Sequence, residues 1–347
     1  MLEIKNISKR IGNFVLQNIT FTVNTGEYFV LLGVSGAGKT MLLEIITGLQ
    51  KQDKGHILLD GQDISSINTH KRNIGLVFQD NTLFPHLNVR RNMAYALAGK
   101  GFTQHEIYLR VEKWAGIMDI AGLLERKPAG LSGGEARRVT LARTLAMEPK
   151  MLLLDEPLSS LDVLLQFDMI RLLKKLRNAG QTILHVTHDY NEAYALADKL
   201  AVINGGKIEQ YGPPADVFSK PASKFVSALA GIRNFFTCSG VKSHDKLFEL
   251  IVNGTFHLFS ANTCNLGSSI FIKEDDIKVM NAGNAAAVNV FNGTVTDIFP
   301  SPEYYSIVVD AGLIFFTRVS NAEMTEMNIH SSDRISLVIP PEAVRSV

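Results

Sequence analysis

The chain has 347 residues, too many for one ordinary core, and reads as two domains. Hydrophobic residues make up 46% and charged residues 20%, which excludes a disordered chain. Lys and Arg number 35 against 34 Asp and Glu, so a net charge of +1 excludes a strong general field for nucleic acid or anionic lipid and leaves room only for a local patch.

In chain order, Val15–Val23 carries alternating apolar positions and Thr25-Gly26-Glu27 makes a turn. Tyr28–Leu32 is a short apolar run, predicted as a buried strand, and Met41–Leu49 is predicted as a helix. Further strands are expected at Gly55–Gly61, Ile74–Phe78, Met151–Leu154, Thr182–Val186 and Leu200–Ile203, with helices at Leu164–Asn178 and Asn191–Ala197. Strands alternating with helices argue for a largely parallel α/β sheet covered on both faces, and the helical stretch of about residues 88–149 reads as an inserted subdomain. Beyond Arg233 the character changes to short β-type runs: Leu247–Val252, Thr255–Phe259, Ser269–Ile272, Gly293–Ile298, Tyr304–Val309, Leu313–Thr317 and Ile335–Ile339. Asn253-Gly254 is a hairpin signal. The expected division is residues 1–232 and an all-β domain 233–347 of two small OB-like barrel modules, with a break near Asn281–Ala287.

The two cysteines, Cys238 and Cys264, fit no metal spacing, and as isolated thiols they point to a reducing compartment. No apolar run approaches the roughly 18 residues a bilayer crossing needs, and the opening MLEIKNISKR lacks a signal peptide's apolar core. A cytoplasmic chain is expected, with any membrane role resting on a partner that spans.

Three segments carry chemistry. Gly33-Val34-Ser35-Gly36-Ala37-Gly38-Lys39-Thr40 follows a buried strand and opens a helix, the context in which Gly-x-x-x-x-Gly-Lys-Thr wraps phosphates. Gly36 and Gly38 allow close backbone approach, Lys39 can reach the β- and γ-phosphates, and Thr40 can ligate Mg²⁺. Leu152-Leu153-Leu154-Asp155-Glu156-Pro157 ends a buried strand in acids at the sheet edge where α/β ligands bind. There Asp155 would hold Mg²⁺ and Glu156 would act as general base on water. Leu131-Ser132-Gly133-Gly134-Glu135 presents a helix cap and exposed backbone N–H groups; alone it reads equally as a plain N-cap.

In this order the segments resemble the nucleotide-binding subunit of ABC transporters over residues 1–232. The resemblance implies the α/β P-loop fold, ATP and Mg²⁺ as ligands, and ATP hydrolysis coupled to transport. It implies that Ser132–Glu135 is the signature motif, that Gln79 contacts Mg²⁺ and senses the permease, that Asp162 in Leu158-Ser159-Ser160-Leu161-Asp162 belongs to the D-loop, and that His188 is the switch histidine at the γ-phosphate. Two copies would meet head to tail, each ATP lying between one P-loop and the other copy's Ser132, Gly133 and Gly134. Residues 81–92, with an exposed Leu83-Phe84-Pro85, resemble the surface that receives a permease. Where the family places an adenine-stacking aromatic stands Ile11; Phe14 either substitutes for it or packs in the core.

Without membrane helices and with a β-rich extension, the chain resembles the ATPases of importers that work with an extracytoplasmic solute-binding protein, on the cytoplasmic face of a prokaryotic-type membrane. Asn289-Val290-Phe291-Asn292-Gly293-Thr294-Val295 and Thr317-Arg318-Val319-Ser320 resemble molybdate-binding β modules. Asn289, Thr317, Arg318 and Ser320 become candidate oxyanion ligands, and oxyanion bound there would hold two ATPases apart. Molybdate or tungstate import is therefore the first expectation, with a sugar, polyamine, iron or sulfate importer as the alternative. A soluble ABC-type ATPase acting on nucleic acid is the distant one, since the β domain lacks a basic stripe with interleaved aromatics.

Overall fold

A computed structural model of the chain describes residues 1–80, 82–244, 246–281 and 288–346. The chain divides into two units, Met1–Val217 and Phe218–Val347.

In the first unit, strands β1 (Leu2–Ile11) and β2 (Phe14–Val23) form an antiparallel hairpin that precedes β3 (Tyr28–Leu32) and helix α1 (Lys39–Thr47). Strands β4 (Lys54–Leu59) and β5 (Gln62–Asp63) complete a four-stranded sheet of order β2-β1-β4-β5. Strand β6 (Ile74–Val77) leads into the helical stretch α2 (Val89–Tyr95), α3 (Gln104–Ile117) and α4 (Gly133–Leu145). The chain returns through β7 (Met151–Asp155), α5 (Val163–Asn178), β8 (Thr182–Thr187), α6 (Tyr190–Leu196), β9 (Lys199–Asn204) and β10 (Lys207–Gly212), and α7 (Pro214–Ser219) follows.

The second sheet has the order β10-β9-β3-β8-β7-β6, parallel except for its β10 edge. Strands β3, β7 and β8 are buried at every residue, which is why β3 and β7 read as near-continuous apolar runs, while β8 also buries the polar Thr182, His185 and Thr187. Phe29, Leu31, Met151, Leu153, Leu184, Val186, Ala201 and Ile203 alternate along their strands. They pack one face of the parallel sheet against α1 and against apolar residues of β1, β2 and β4. On β3 and β8 the intervening positions include Tyr28 and His185, whose hydroxyl and Nδ1 lie 2.9 Å apart in the core.

In the second unit, α8 (Lys224–Leu229) precedes β11 (Asn234–His244), β12 (Leu247–Val252), β13 (Phe256–Ser260) and β14 (Ser269–Ile272). These four join the C-terminal β20 in an antiparallel sheet of order β13-β12-β11-β14-β20, where β20 is Arg345–Ser346. The other sheet has the order β15-β19-β16-β17-β18, from β15 (Lys278–Asn281), β16 (Val290–Pro300), β17 (Tyr304–Asp310), β18 (Ile314–Ser320) and β19 (Arg334–Val338). Helix α9 (Asn321–Met327) follows β18. Asn253 and Gly254, both at positive φ, turn the β12–β13 hairpin as their sequence indicates. Both sheets contribute to one apolar cluster, from Phe236 and Leu250 to Phe315 and Leu337. The expected break near Asn281–Ala287 falls at residues 282–287, outside the described residues.

One expectation is corrected here. Cys238 and Cys264, read as isolated thiols, form a disulfide across 26 residues. Strand β11 and the loop before β14 bring both into the apolar cluster.

Candidate functional site

The phosphate-binding loop is built by tight approach. Gly33 continues β3, donating its N–H to the Thr187 carbonyl, and a Cβ there would lie 2.3 Å from the Ile203 carbonyl oxygen on β9. Only glycine lets the strand end between its two neighbours. Gly38, at φ +100, is the N-cap of α1, and a Cβ there would sit 2.7 Å from Leu16 and 2.8 Å from the Phe14 ring. The loop is thus pressed onto the antiparallel sheet from beneath while its backbone faces outward at a helix N-terminus.

Lys39 is buried, and its ammonium donates to the carbonyls of Gly33 at 2.8 Å and Val34 at 3.1 Å. Its burial pulls its pKa below the ordinary lysine value, opposed by Glu156 and Asp155. Thr40 donates its hydroxyl to Asp155 Oδ2 at 3.0 Å, joining the start of α1 to the end of β7 across 115 residues. Burial pushes the Asp155 carboxyl above the usual carboxylate range, which the Thr40 hydrogen bond counters. A buried carboxylate beside the hydroxyl of an exposed threonine makes the hard oxygen pair that Mg²⁺ takes.

Glu156 follows with φ 45, a left-handed backbone that turns it away from the strand. Its carboxylate lies 3.8 Å from Lys39 Nζ and 3.2 Å from His188 Nδ1. His188 is exposed, one residue past β8, and adjacent parallel strands explain how two strand ends deliver the pair. The arrangement offers a cation, a metal-ligating pair and a carboxylate backed by an imidazole at one sheet edge, the equipment for phosphoryl transfer to water.

Gln79, past the end of β6, is exposed. Val34, Ser35 and Gly36 are exposed along the loop and Ala37 is buried under it. Ser132 caps α4, accepting from the Glu135 N–H at 3.2 Å while Glu135 accepts from the Ser132 N–H at 2.7 Å, so the plain cap and the exposed N-terminus coexist. Gly133 is exposed at that end, and Gly134 is buried against Leu165. Asp162 caps α5 through the Leu165 N–H. Phe14 packs on the first unit's core and on Gly38, while Ile11 is 45% exposed. The segment Leu83-Phe84-Pro85 is less exposed than its composition indicates. Phe84 is half-buried, its ring 4.4 Å from that of Tyr95 and beneath the Arg143 guanidinium. Asn81 lies outside the described residues.

Of the four oxyanion candidates, Arg318 and Ser320 line one pocket, while Asn289 and Thr317 are buried. Asn289 is buried and spends its amide on backbone, donating to the Phe259 and Ile339 carbonyls and accepting from the Phe259 N–H. Thr317, also buried, donates to the Ile277 carbonyl at 2.8 Å. Arg318 is paired with Glu274 and Asp275, whose negative charge disfavours an anion beside it. Ser320 caps α9. Asn289 leads into β16 and Thr317 lies on β18, with β17 between them. Each of the four has an internal partner in this arrangement.

Sequence reasoning missed three arginines. Arg72 is buried and caps the end of α1 through the Ile45 and Ile46 carbonyls. Arg137 and Arg143, on α4, donate to the carbonyls of Phe78 and Gln79 and of Thr82 respectively. Nothing in their local sequence distinguishes them from solvated basic residues of a helix.

The profile of the family described as ABC transporter matches residues 16–159. The chain is 35% identical over 344 residues to the molybdate/tungstate import ATP-binding protein WtpC of Pyrococcus horikoshii, with 96% of each chain covered. This chain belongs to the ABC transporter family. A spermidine/putrescine import ATP-binding protein of Mesorhizobium japonicum is 34% identical to this ABC ATPase, covering 99% of this chain and 96% of its own. Among solved structures, cbiO1 of Clostridium perfringens, part of an ABC transporter complex, superposes with a TM-score of 0.59 at 30% identity over 63% of this chain and 90% of its own. A dimeric ATP-binding cassette in a post-hydrolysis state with ADP and phosphate superposes with a TM-score of 0.55 at 29% identity, over 62% and 99%. The chain is an ATPase that binds ATP together with Mg²⁺, and the P-loop cluster fits both.

Proposed function

We propose that this ABC ATPase energises an importer for a tetrahedral oxyanion, molybdate or tungstate, seated against a membrane permease on the cytoplasmic face. The observation that carries the ATPase half is the convergence of Lys39, Thr40, Asp155, Glu156 and His188 at one sheet edge. Bound Mg²⁺ neutralises β- and γ-phosphate charge; Thr40, Asp155 and Gln79 would hold it. Lys39 exchanges its carbonyl partners for phosphate oxygens. Glu156 accepts the proton of the attacking water, and His188 orients that carboxylate and reaches the γ-phosphate. The exposed N-terminus of α4 supplies Ser132, Gly133 and Gly134 to the ATP of a second copy, with Asp162 at the same junction; the solved dimeric relative supports this pairing. Residues 82–92 meet the permease, and among the described residues no helix is long and apolar enough to cross a membrane, so the spanning part belongs to that partner.

The oxyanion rests on the whole-length likeness to the molybdate/tungstate relative. A polyamine importer is the second reading, favoured by the whole-length likeness to the spermidine/putrescine relative. Proteoliposomes carrying the chain, its permease and its solute-binding protein decide between them: ATP-driven uptake of labelled molybdate is expected. Uptake of labelled spermidine with none of molybdate refutes the first reading.

A further inference from the structure

Arg137 lies on α4 five residues beyond the Ser132 cap and is 3% exposed. Its Nη1 donates to the carbonyls of Phe78 at 3.0 Å and Gln79 at 2.6 Å, and its Nη2 reaches the carbonyl of Glu156 at 3.5 Å. These carbonyls sit just past the ends of β6 and β7, adjacent parallel strands in register from Ile74↔Met151 to Val77↔Leu154. One planar guanidinium therefore spans the two strand ends that carry Gln79 and Glu156. A residue that merely filled this space would be apolar. Among the described residues this buried cation hydrogen-bonds only to backbone and its Nε has no partner, which is costly as packing. A fork of fixed geometry is what spacing two backbones requires. Farther along α4, Arg143 donates to the Thr82 carbonyl at 2.8 Å, so the helix that begins at Ser132 grips the segment after β6 at two points.

We propose that Arg137 is a positioning residue for hydrolysis. It sets the spacing of Gln79 and Glu156 and ties both to the helix whose N-terminus faces a second copy's nucleotide. The inference rests on the roles given above to Gln79 and Glu156. When α4 moves, its guanidinium carries the backbone of both residues with it, without touching nucleotide.

The test uses the full chain with MgATP and the variants R137M, R137K and E156Q. R137M should lose on the order of tenfold or more in kcat, because small misplacement of reacting groups is that costly. Its KM for ATP should stay within about twofold, since the P-loop contacts are intact. By calorimetry, the gain in ATP affinity on adding Mg²⁺ should shrink in R137M, while affinity in EDTA is unchanged. R137K, which keeps the charge but lacks the fork, should recover part of kcat. Should R137M fail to fold, R137K carries the test: reduced kcat with unchanged EDTA affinity supports the proposal, and wild-type kcat overturns it. An unchanged kcat in R137M overturns it, as does a fall in kcat that tracks a lowered melting temperature and raised KM with no recovery in R137K. If E156Q hydrolyses ATP at the wild-type rate, the underlying reading of Glu156 fails as well. If E156Q is inactive while R137M is normal, only the present inference fails.

Discussion

Replacing Gly38 with alanine should damage the first unit more than replacing Gly36, although both glycines stand in one loop at positive φ. At Gly36, with φ +80, an added Cβ meets nothing within 4 Å, so the cost is the left-handed backbone alone, about 1–2 kcal/mol. At Gly38, with φ +100, the same strain applies, and the Cβ would also lie 2.7 Å from Leu16 Cδ2 and 2.8 Å from Phe14 Cζ. Leu16 is fully buried and Phe14 is half-buried against the core, so admitting the methyl repacks both, and overpacking adds roughly 1–3 kcal/mol. The sum is about 2–5 kcal/mol, or a fall of roughly 4–20 °C in the melting temperature of a unit this size. Scanning calorimetry of the full chain should show the larger drop for Gly38→Ala. The Phe14→Ala/Gly38→Ala double variant should recover part of the clash, a non-additivity expected only of residues in contact. The reasoning fails if Gly38→Ala melts no lower than Gly36→Ala, or if removing the Phe14 ring leaves their gap unchanged.

Two further outcomes follow from single contacts. Glu156→Gln keeps the shape beside His188 but cannot accept a proton, so phosphate release should fall by about two to four orders of magnitude while ATP binding persists; an unchanged hydrolysis rate removes Glu156 from its assigned role. Asn289→Asp would aim a carboxylate at the Phe259 and Ile339 carbonyls, and losing both donated hydrogen bonds should cost roughly 2–5 kcal/mol in the second unit. That loss should appear in the melting curve with or without molybdate. A variant as stable as wild type that has lost only molybdate binding would restore Asn289 as a ligand.

Much of this protein was legible because the relevant signals are local. Tyr28–Leu32 and Met151–Asp155 are buried on both faces, and a strand so buried reads as a near-continuous apolar run wherever it lies. The Gly33–Thr40 loop is likewise readable, since its glycines, lysine and threonine serve one ligand from adjacent positions. Ser132 and Glu135 announce their helix cap in four residues. The disulfide of Cys238 and Cys264 was not legible, because their spacing is silent about which strands bring them together. Nor were the partners of Asn289, 30 and 50 residues away. Resemblance proposed an anion for Asn289, and the fold gave its amide to backbone, because a buried polar group takes whatever partners the surrounding strand ends leave open. Arg137 shows the same division. Its sequence reads as one basic residue among three on a helix, and only the meeting of β6 with β7 makes its guanidinium the bridge between Gln79 and Glu156. Motifs name the groups that touch the ligand, because those must be particular residues at particular spacings. Which side chains hold those groups in place is decided by non-local backbone geometry, which no short stretch of sequence encodes.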